Sequence, residues 1–361
     1  MGYLRLDLTE PSGTFATLLP AVTSKPFPVL THLIVHVKEG HATQDAPPLP
    51  DDFLGGSAPR LQMIHLRNIA FPALQTLLLS ASGLVELKLC RIPPAGHILP
   101  VAMAMCLAEL PRLKTLVLRF KLTSLPPVSS PHPPPVTRTI IPSLTNFKFM
   151  GTSGFLEDFV AHIDCHQLNL IAISYLVRGT KFQVTQLTNF FNCSIAPFMH
   201  TKVSFHARDV TFDLDRPFRK GCDSHPATTV ISCLRIDWDL FRILNKFSSI
   251  LSTVVDLKFI GDFWASHILS EEYNLGWLPF LHQLFALQAL YVSLPLAGQI
   301  AHALKSVKGE VVAEALPSLD LICLEGQASS IEEFVALRQL SDRPLIVVST
   351  EAEFDQRLSQ I

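Results

Sequence analysis

The densest cluster of side chains able to hold a metal ion is His162-Ile163-Asp164-Cys165-His166. Zinc takes four ligands held in place by second-layer contacts, and no second cluster of matching spacing occurs in the chain. The cluster falls where a helix running from Phe155 must stop before an apolar strand at Leu168, so these residues read as a helix end. His32 and His36 stand four apart on a strand, where they share an outward face without clasping one ion. Carboxylate pairs of the kind that serve acid–base chemistry flank single apolar residues, Asp213 and Asp215 around Leu214, and Asp237 and Asp239 around Trp238. Their settings, a hairpin and a helix start, are those of solvated or capping residues. Gly151-Thr152-Ser153-Gly154 has the wrong order for a G-x-S-x-G nucleophile elbow. Neither a GxGxxG nor a P-loop phosphate signature is present. The residues therefore predict a non-enzymatic protein with no cofactor and no metal; an enzyme with a site built from unrecognised loops is the alternative from another class.

The elements that must carry any site come from a recurring phrase, L-x-x-L-x-L with variants, usually just after a proline. It begins at Leu30, Leu61, Leu84, Leu113, Leu144, Leu168, Ile231, Val254, Leu287 and Leu319. The steps between starts are 31, 23, 29, 31, 24, 63, 23, 33 and 32 residues. A β-sandwich would repeat at about 8–12 residues, whereas a leucine-rich repeat needs about 20–29. Between the strands, segments 153–163, 183–191, 239–251, 297–307 and 330–340 carry apolar residues at helical spacing. Ser329 and Ser330 ahead of Glu332 and Glu333 resemble a capping box. The predicted fold is α/β: one leucine-rich-repeat solenoid over residues 1–361, with irregular repeats of 23–33 residues. Parallel strands line the concave side of a curved horseshoe and helices its convex side. Pro-rich loops are expected at 41–59 and 121–142, and a β-hairpin at 203–214.

Outward positions of such strands stack into rows. His65, Lys88, Val117, Lys148 and Ala172 form one expected row, and Arg67, Cys90, Arg119, Met150 and Ser174 the next. Further on, Arg235, Lys258, Tyr291 and Cys323 continue the pattern. The candidate partner-binding residues are thus His65, Arg67, Lys88, Arg119, Lys148, Arg235, Lys258 and Tyr291. Their basic character fits an acidic protein partner.

Composition bounds the rest. The 361 residues are 48% hydrophobic and 17% charged, with a net charge of −2, which is far from a disordered profile and gives no overall pull toward nucleic acid or membrane. The longest apolar candidate, Ile98 to Leu110, contains Pro100 and Glu109 and is too short to span a bilayer. The N-terminus lacks the basic and apolar regions of a secretion signal. Seven scattered cysteines without a CxxC pair read as reduced thiols of the cytoplasm or nucleus.

The phrases SASGLVELKLCRIPPAGHILP, IIPSLTNFKFMGTSGFLEDFVAHIDCHQLNLIAISY, ISCLRIDW, ALPSLDLICLEG and SIEEFVALRQLSDRPLIVV resemble the F-box-like leucine-rich-repeat proteins of mushroom-forming fungi. That resemblance covers most of residues 60–350 and implies a substrate-recognition part of an F-box-type ubiquitin ligase. In such a protein an F-box docks a Skp-type adaptor and cullin. This chain opens at Met1 on strand-like YLRLDL, without an F-box pattern, so the adaptor role is expected only where an F-box lies upstream. The apolar edge at Leu4, Leu6 and Leu8 predicts either a truncated chain or a partner covering that end. A free-standing scaffold or inhibitor, unrelated to ubiquitination, is the other binding-protein reading.

Overall fold

The computed structural model describes residues 2–8, 27–38, 48–121, 137–176, 182–194, 197–206, 209–215, 228–234, 240–262, 276–306 and 315–360. The chain is a mixed α/β protein with mostly parallel strands, and it divides into two compact units, Met1–Ile195 and Ala196–Ile361.

In the first unit the strands are β1 (Gly2–Leu8), β2 (Leu30–Val37), β3 (Met63–Arg67), β4 (Glu86–Ile92), β5 (Thr115–Phe120), β6 (Thr139–Ile140), β7 (Asn146–Gly151), β8 (Ile163–Asp164) and β9 (Leu170–Leu176). Helices α1 (Leu74–Ser80), α2 (Pro100–Ala108), α3 (Ser153–His162) and α4 (Thr185–Ser194) lie between or after them. The order β1-β2-β3-β4-β5-β7-β9 is parallel throughout, and β6 pairs with β8 apart from it.

The repeated phrase explains this register. In each phrase the three apolar positions are buried: Leu61, Ile64 and Leu66 before and within β3, Leu84, Leu87 and Leu89 at β4, Leu113, Leu116 and Leu118 at β5. The first of the three closes a tight turn, with the N–H of Leu61, Leu84 and Leu113 donating to the carbonyls of Ala58, Ala81 and Leu110 at 2.9–3.1 Å. The following residues then form a chain of backbone bonds from strand to strand: Gln62 to Thr31, Val85 to Gln62, Lys114 to Val85, Thr145 to Lys114 and Asn169 to Thr145, all 2.8–3.0 Å. Turn, entry bond and alternating strand together set which residues face out.

Two side chains knit successive segments. Glu157 on α3 is buried, and its carboxylate accepts from the backbone N–H groups of Gln186 (2.7 Å) and Leu187 (3.0 Å) in the first turn of α4. Gly151 ends β7 where a Cβ would lie 2.7 Å from both the Phe120 and Phe149 rings, so only glycine lets these aromatics close up beneath α3. The Gly151-Thr152-Ser153-Gly154 run is thus a strand-to-helix turn, with Thr152 Oγ1 accepting from Phe155 N–H at the start of α3.

The second unit comprises β10 (His200–Phe205), β11 (Asp209–Asp215), β12 (Thr228–Leu234), α5 (Leu240–Lys246), α6 (Ser248–Leu251), β13 (Asp256–Gly261), α7 (Trp277–Leu281), β14 (Ala289–Val292), α8 (Leu294–Lys305), β15 (Leu321–Leu324), α9 (Glu332–Leu340), β16 (Ile346–Val348) and α10 (Glu351–Leu358). Its order is β12-β11-β10-β13-β14-β15-β16. β10, β11 and β12 pair antiparallel, and β10 then begins a parallel run through β16. The same turn and entry bonds recur: Val254 to Leu251, Leu287 to Leu284 and Leu319 to Leu316, then Val255 to Met199, Gln288 to Val255 and Asp320 to Gln288. Buried Arg338 on α9 braces one of these turns, donating to the carbonyls of Leu316 (2.9 Å) and Leu319 (2.7 Å).

Three expectations need correction. ISCLRI and VVDLKF do not neighbour each other, because β11 and β10 lie between β12 and β13. On β12 the buried residues are Thr229, Ile231 and Cys233, so Leu234 stands on the opposite face from Ile231. Side chains alternate between faces along a strand, so a shift of one residue moves an apolar position to the other side. Ser329 and Ser330 form no capping box: Ser330 Oγ bonds Gln327 Oε1, and a 3-10 turn over Ala328–Ile331 leads into α9 instead.

Among the described residues no helix is long and apolar enough to cross a membrane. Residues 41–47 of the first Pro-rich loop and 122–136 of the second lie outside the described residues. The remainder of the first ends in a short turn that buries Phe53 and Leu54, with Phe53 edge-on to Phe71 at 5.7 Å.

Candidate functional site

The first unit brings five of the expected residues onto one face. Cα partners run His65–Lys88–Val117–Lys148–Ala172 across β3, β4, β5, β7 and β9, and Arg67–Cys90–Arg119–Met150–Ser174 beside them. Arg67 and Arg119 are exposed, while His65, Lys88 and Lys148 are half-buried and Val117 is closed over. Adjacent strands lie about 4.8 Å apart, which sets Lys88 and Lys148 roughly 10 Å from each other across the stem of Val117. Glu86, two residues before Lys88 on the same strand face, pairs with it at 2.7 Å and neutralises part of the row. Charge therefore strengthens toward the carboxyl ends of the strands.

Histidines close the row on the β2 side. His36 Nε2 lies 3.2 Å from His65 Nδ1, the rings meeting edge-on with centroids 4.3 Å apart. Burial, then the nearness of His36 and Lys88, pushes the His65 pKa down to about 4. Burial also lowers His36, with Asp7 at 3.5 Å pulling the other way. Both rings are therefore neutral near pH 7, and one must donate to the other.

Beyond the row, a cleft of about 460 Å³ opens at the carboxyl ends of β1 to β4, lined by Arg5, Asp7, His36, Val37, Lys38, Arg67, Asn68 and Arg91. Of these only Arg67 was expected as a site residue. The others come from β1 (Arg5, Asp7), from the end of β2 (His36, Val37, Lys38) and from just past the phrases at β3 and β4 (Asn68, Arg91), and the register sets Arg5 on the row of His65 and Asp7 and His36 on the row of Arg67.

The second unit treats its share of the row differently. Lys258, Tyr291 and Cys323 are Cα partners in turn, but α10 lies over them. Phe354 of α10 is fully buried against Tyr291 at 5.7 Å between rings, in a cluster with Ala289, Leu321, Cys323 and Val348. Lys258 Nζ pairs with Glu351 (3.0 Å) and Asp355 (2.7 Å) and sits 5.5 Å over the Tyr291 ring. Burial works against the Lys258 charge, yet the hydrogen bonds to Asp355 and Glu351 prevail and its pKa is raised. Burial, and then a hydrogen bond to Glu325, raises Tyr291. Tyr291, expected on an open face, is 2% exposed. It is a core residue of the chain's own C-terminal packing.

Arg235, with Asp237 and Asp239, lies outside the described residues. The neighbour of Lys258 on its other side is Lys202 of β10, a consequence of the strand order above. The signal that could have found α10 was present: Thr350 and Glu353 form a capping arrangement, Thr350 Oγ1 accepting from Glu353 N–H and Glu353 Oε2 from Ser349 N–H.

The remaining chemistry-bearing residues have local roles. Cys165 is fully buried, its thiol pushed up to about 12 by burial and by Asp164, and Asp164 pairs with His166 at 3.3 Å. Asp213 faces Lys202 across the β10–β11 pair. Among the described residues no three His, Cys, Asp or Glu side chains are grouped to hold a metal ion. Comparison with protein-family models finds no match, and comparison with curated proteins finds none either.

Proposed function

We propose that this chain is a non-catalytic protein-binding module of the leucine-rich-repeat kind, and that the open face of β3, β4, β5 and β7 receives an acidic segment of a partner protein. One observation carries the reading: the strand register sets Arg67, Lys88, Arg119 and Lys148 on four consecutive strands of one face. Matching rows of opposite charge steer association and select against wrong partners. The repeated turns, entry bonds and buried phrases support the repeat assignment. The resemblance to F-box-like proteins extends the proposal to substrate recognition for a ubiquitin ligase, in the cytoplasm or nucleus.

The test is a combined Lys88→Glu, Arg119→Glu and Lys148→Glu variant, compared with the parent chain by quantitative affinity purification. Loss of the partners retained by the parent chain, with an unchanged melting curve, is the expected result. Undiminished capture overturns the reading. Recovery of a Skp-type adaptor and cullin supports the ligase extension; their consistent absence rejects it and leaves the scaffold or inhibitor.

A further inference from the structure

The cleft at the carboxyl ends of β1 to β4 has features of a built site. Among the described residues, Arg5, Lys38, Arg67 and Arg91 bring four cationic side chains to its lining, against the carboxylate of Asp7. That carboxylate is committed within the cleft, at 2.5 Å from Arg5 Nε and 3.5 Å from His36 Nδ1, so it orders the wall even as it offsets one charge.

Local backbone departs from the repeat at this place. Between β4 and β5 the register slips at Cys90/Ile92, leaving Arg91 as an extra residue with φ of 57°. A non-glycine residue in this left-handed region costs roughly 1–2 kcal/mol, and bulges re-aim the side chain they carry. Asn68 also has a positive φ, 56°, and ties three strand ends together: its N–H donates to Cys90 O (2.9 Å) and its Nδ2 to Val37 O (3.4 Å). The strained arginine and the clamped asparagine both line the cleft.

We propose that this cleft binds a phosphoryl group, presented by a small phosphate ester or by a phosphorylated side chain. A carboxylate brings one charge and two acceptor oxygens to this lining. A phosphoryl group carries about −1.5 to −2 and three acceptor oxygens, which suit the paired donors of several guanidinium groups at once. The volume also lies within the range of ligand clefts, about 300–1,000 Å³.

The experiment is calorimetric titration of the full chain with pyrophosphate, and in parallel with a phosphoserine peptide and its unphosphorylated twin. Saturable one-to-one binding of either phosphate probe is expected, at least tenfold weaker in Arg91→Asn and in Lys38→Gln. Asparagine tolerates the left-handed backbone, and Lys38 is exposed at the end of β2, so the two variants guard against a folding defect. Pyrophosphate binding with no gain from the peptide assigns a free phosphate ester; tighter peptide binding that needs the phosphate assigns a modified side chain. Absence of saturable binding by both probes, or equal binding in both variants, overturns the proposal. Arg67 is left unchanged, so such a failure leaves the binding reading of the β3–β7 face standing.

Discussion

His65 and His36 share one hydrogen bond at the edge of a cationic row, and that arrangement has a pH signature. His65 takes up its proton near pH 4 in the folded chain but near 6.5 when unfolded. Between those values the unfolded chain binds more protons, so this contribution to stability is complete above about pH 6.5 and is lost as pH falls toward 4. Replacing the ring should remove that slope. Urea midpoints measured at about pH 7 and about pH 5 are expected to fall more for the parent chain than for His65→Gln. An equal fall in both would show that the pair does not couple to folding. Neither the pair nor its neutral state was readable beforehand, since His36 and His65 are 29 residues apart and meet only through the β2–β3 register.

At the scale of elements, α10 illustrates how a short helix can be anchored by one residue. Phe354 is fully buried, whereas the Lys258 partners Glu351 and Asp355 are about half exposed (47% and 53%). Burying a phenylalanine outweighs half-exposed ion pairs, so Phe354→Ala should cost about 3 kcal/mol and Lys258→Ala nearer 1 kcal/mol. Denaturant unfolding checks the ratio; equal losses would place the anchor in the ion pairs. The strands were legible because three buried apolar positions per phrase leave a period that survives in sequence. α10 offered only its Thr350–Glu353 capping signal, because an eight-residue helix with one buried apolar residue has no stripe to detect. α2 hid for the opposite reason: PVAMAMCLA is apolar nearly all round and shows no helical face. The cleft stayed hidden because its lining gathers residues far apart in sequence, from Arg5 and Asp7 of β1 to Arg91 of the β4 bulge, which meet only through the strand register.

For the molecule as a whole, a net charge of −2 conceals a marked unevenness. Four cationic residues occupy one face of the first unit, while Glu351, Glu353 and Asp355 gather on α10 of the second. Salt should act on these differently from the way it acts on the core. Raising ionic strength from about 0.1 M to about 1 M shortens the screening length from about 10 Å to about 3 Å. Partner affinity measured across that range is expected to drop about tenfold or more, while the melting temperature changes little because apolar strands hold each unit. A salt-independent affinity would point to an apolar contact elsewhere.

The covered row beneath α10 also has a chemical consequence. Cys323 lies fully buried under that helix, its thiol raised to about 11 by burial and by Glu325, Glu353 and Glu351. With the helix seated, the sulfur is both unreachable and almost wholly protonated, hence doubly protected from alkylating reagents. Each departure of the helix lifts the steric half of that protection and restores part of the thiolate. The rate at which Cys323 is labelled, followed residue by residue in a mass spectrometer, therefore acts as a clock for the C-terminal helix. The protein carries that clock already, with no probe to be introduced.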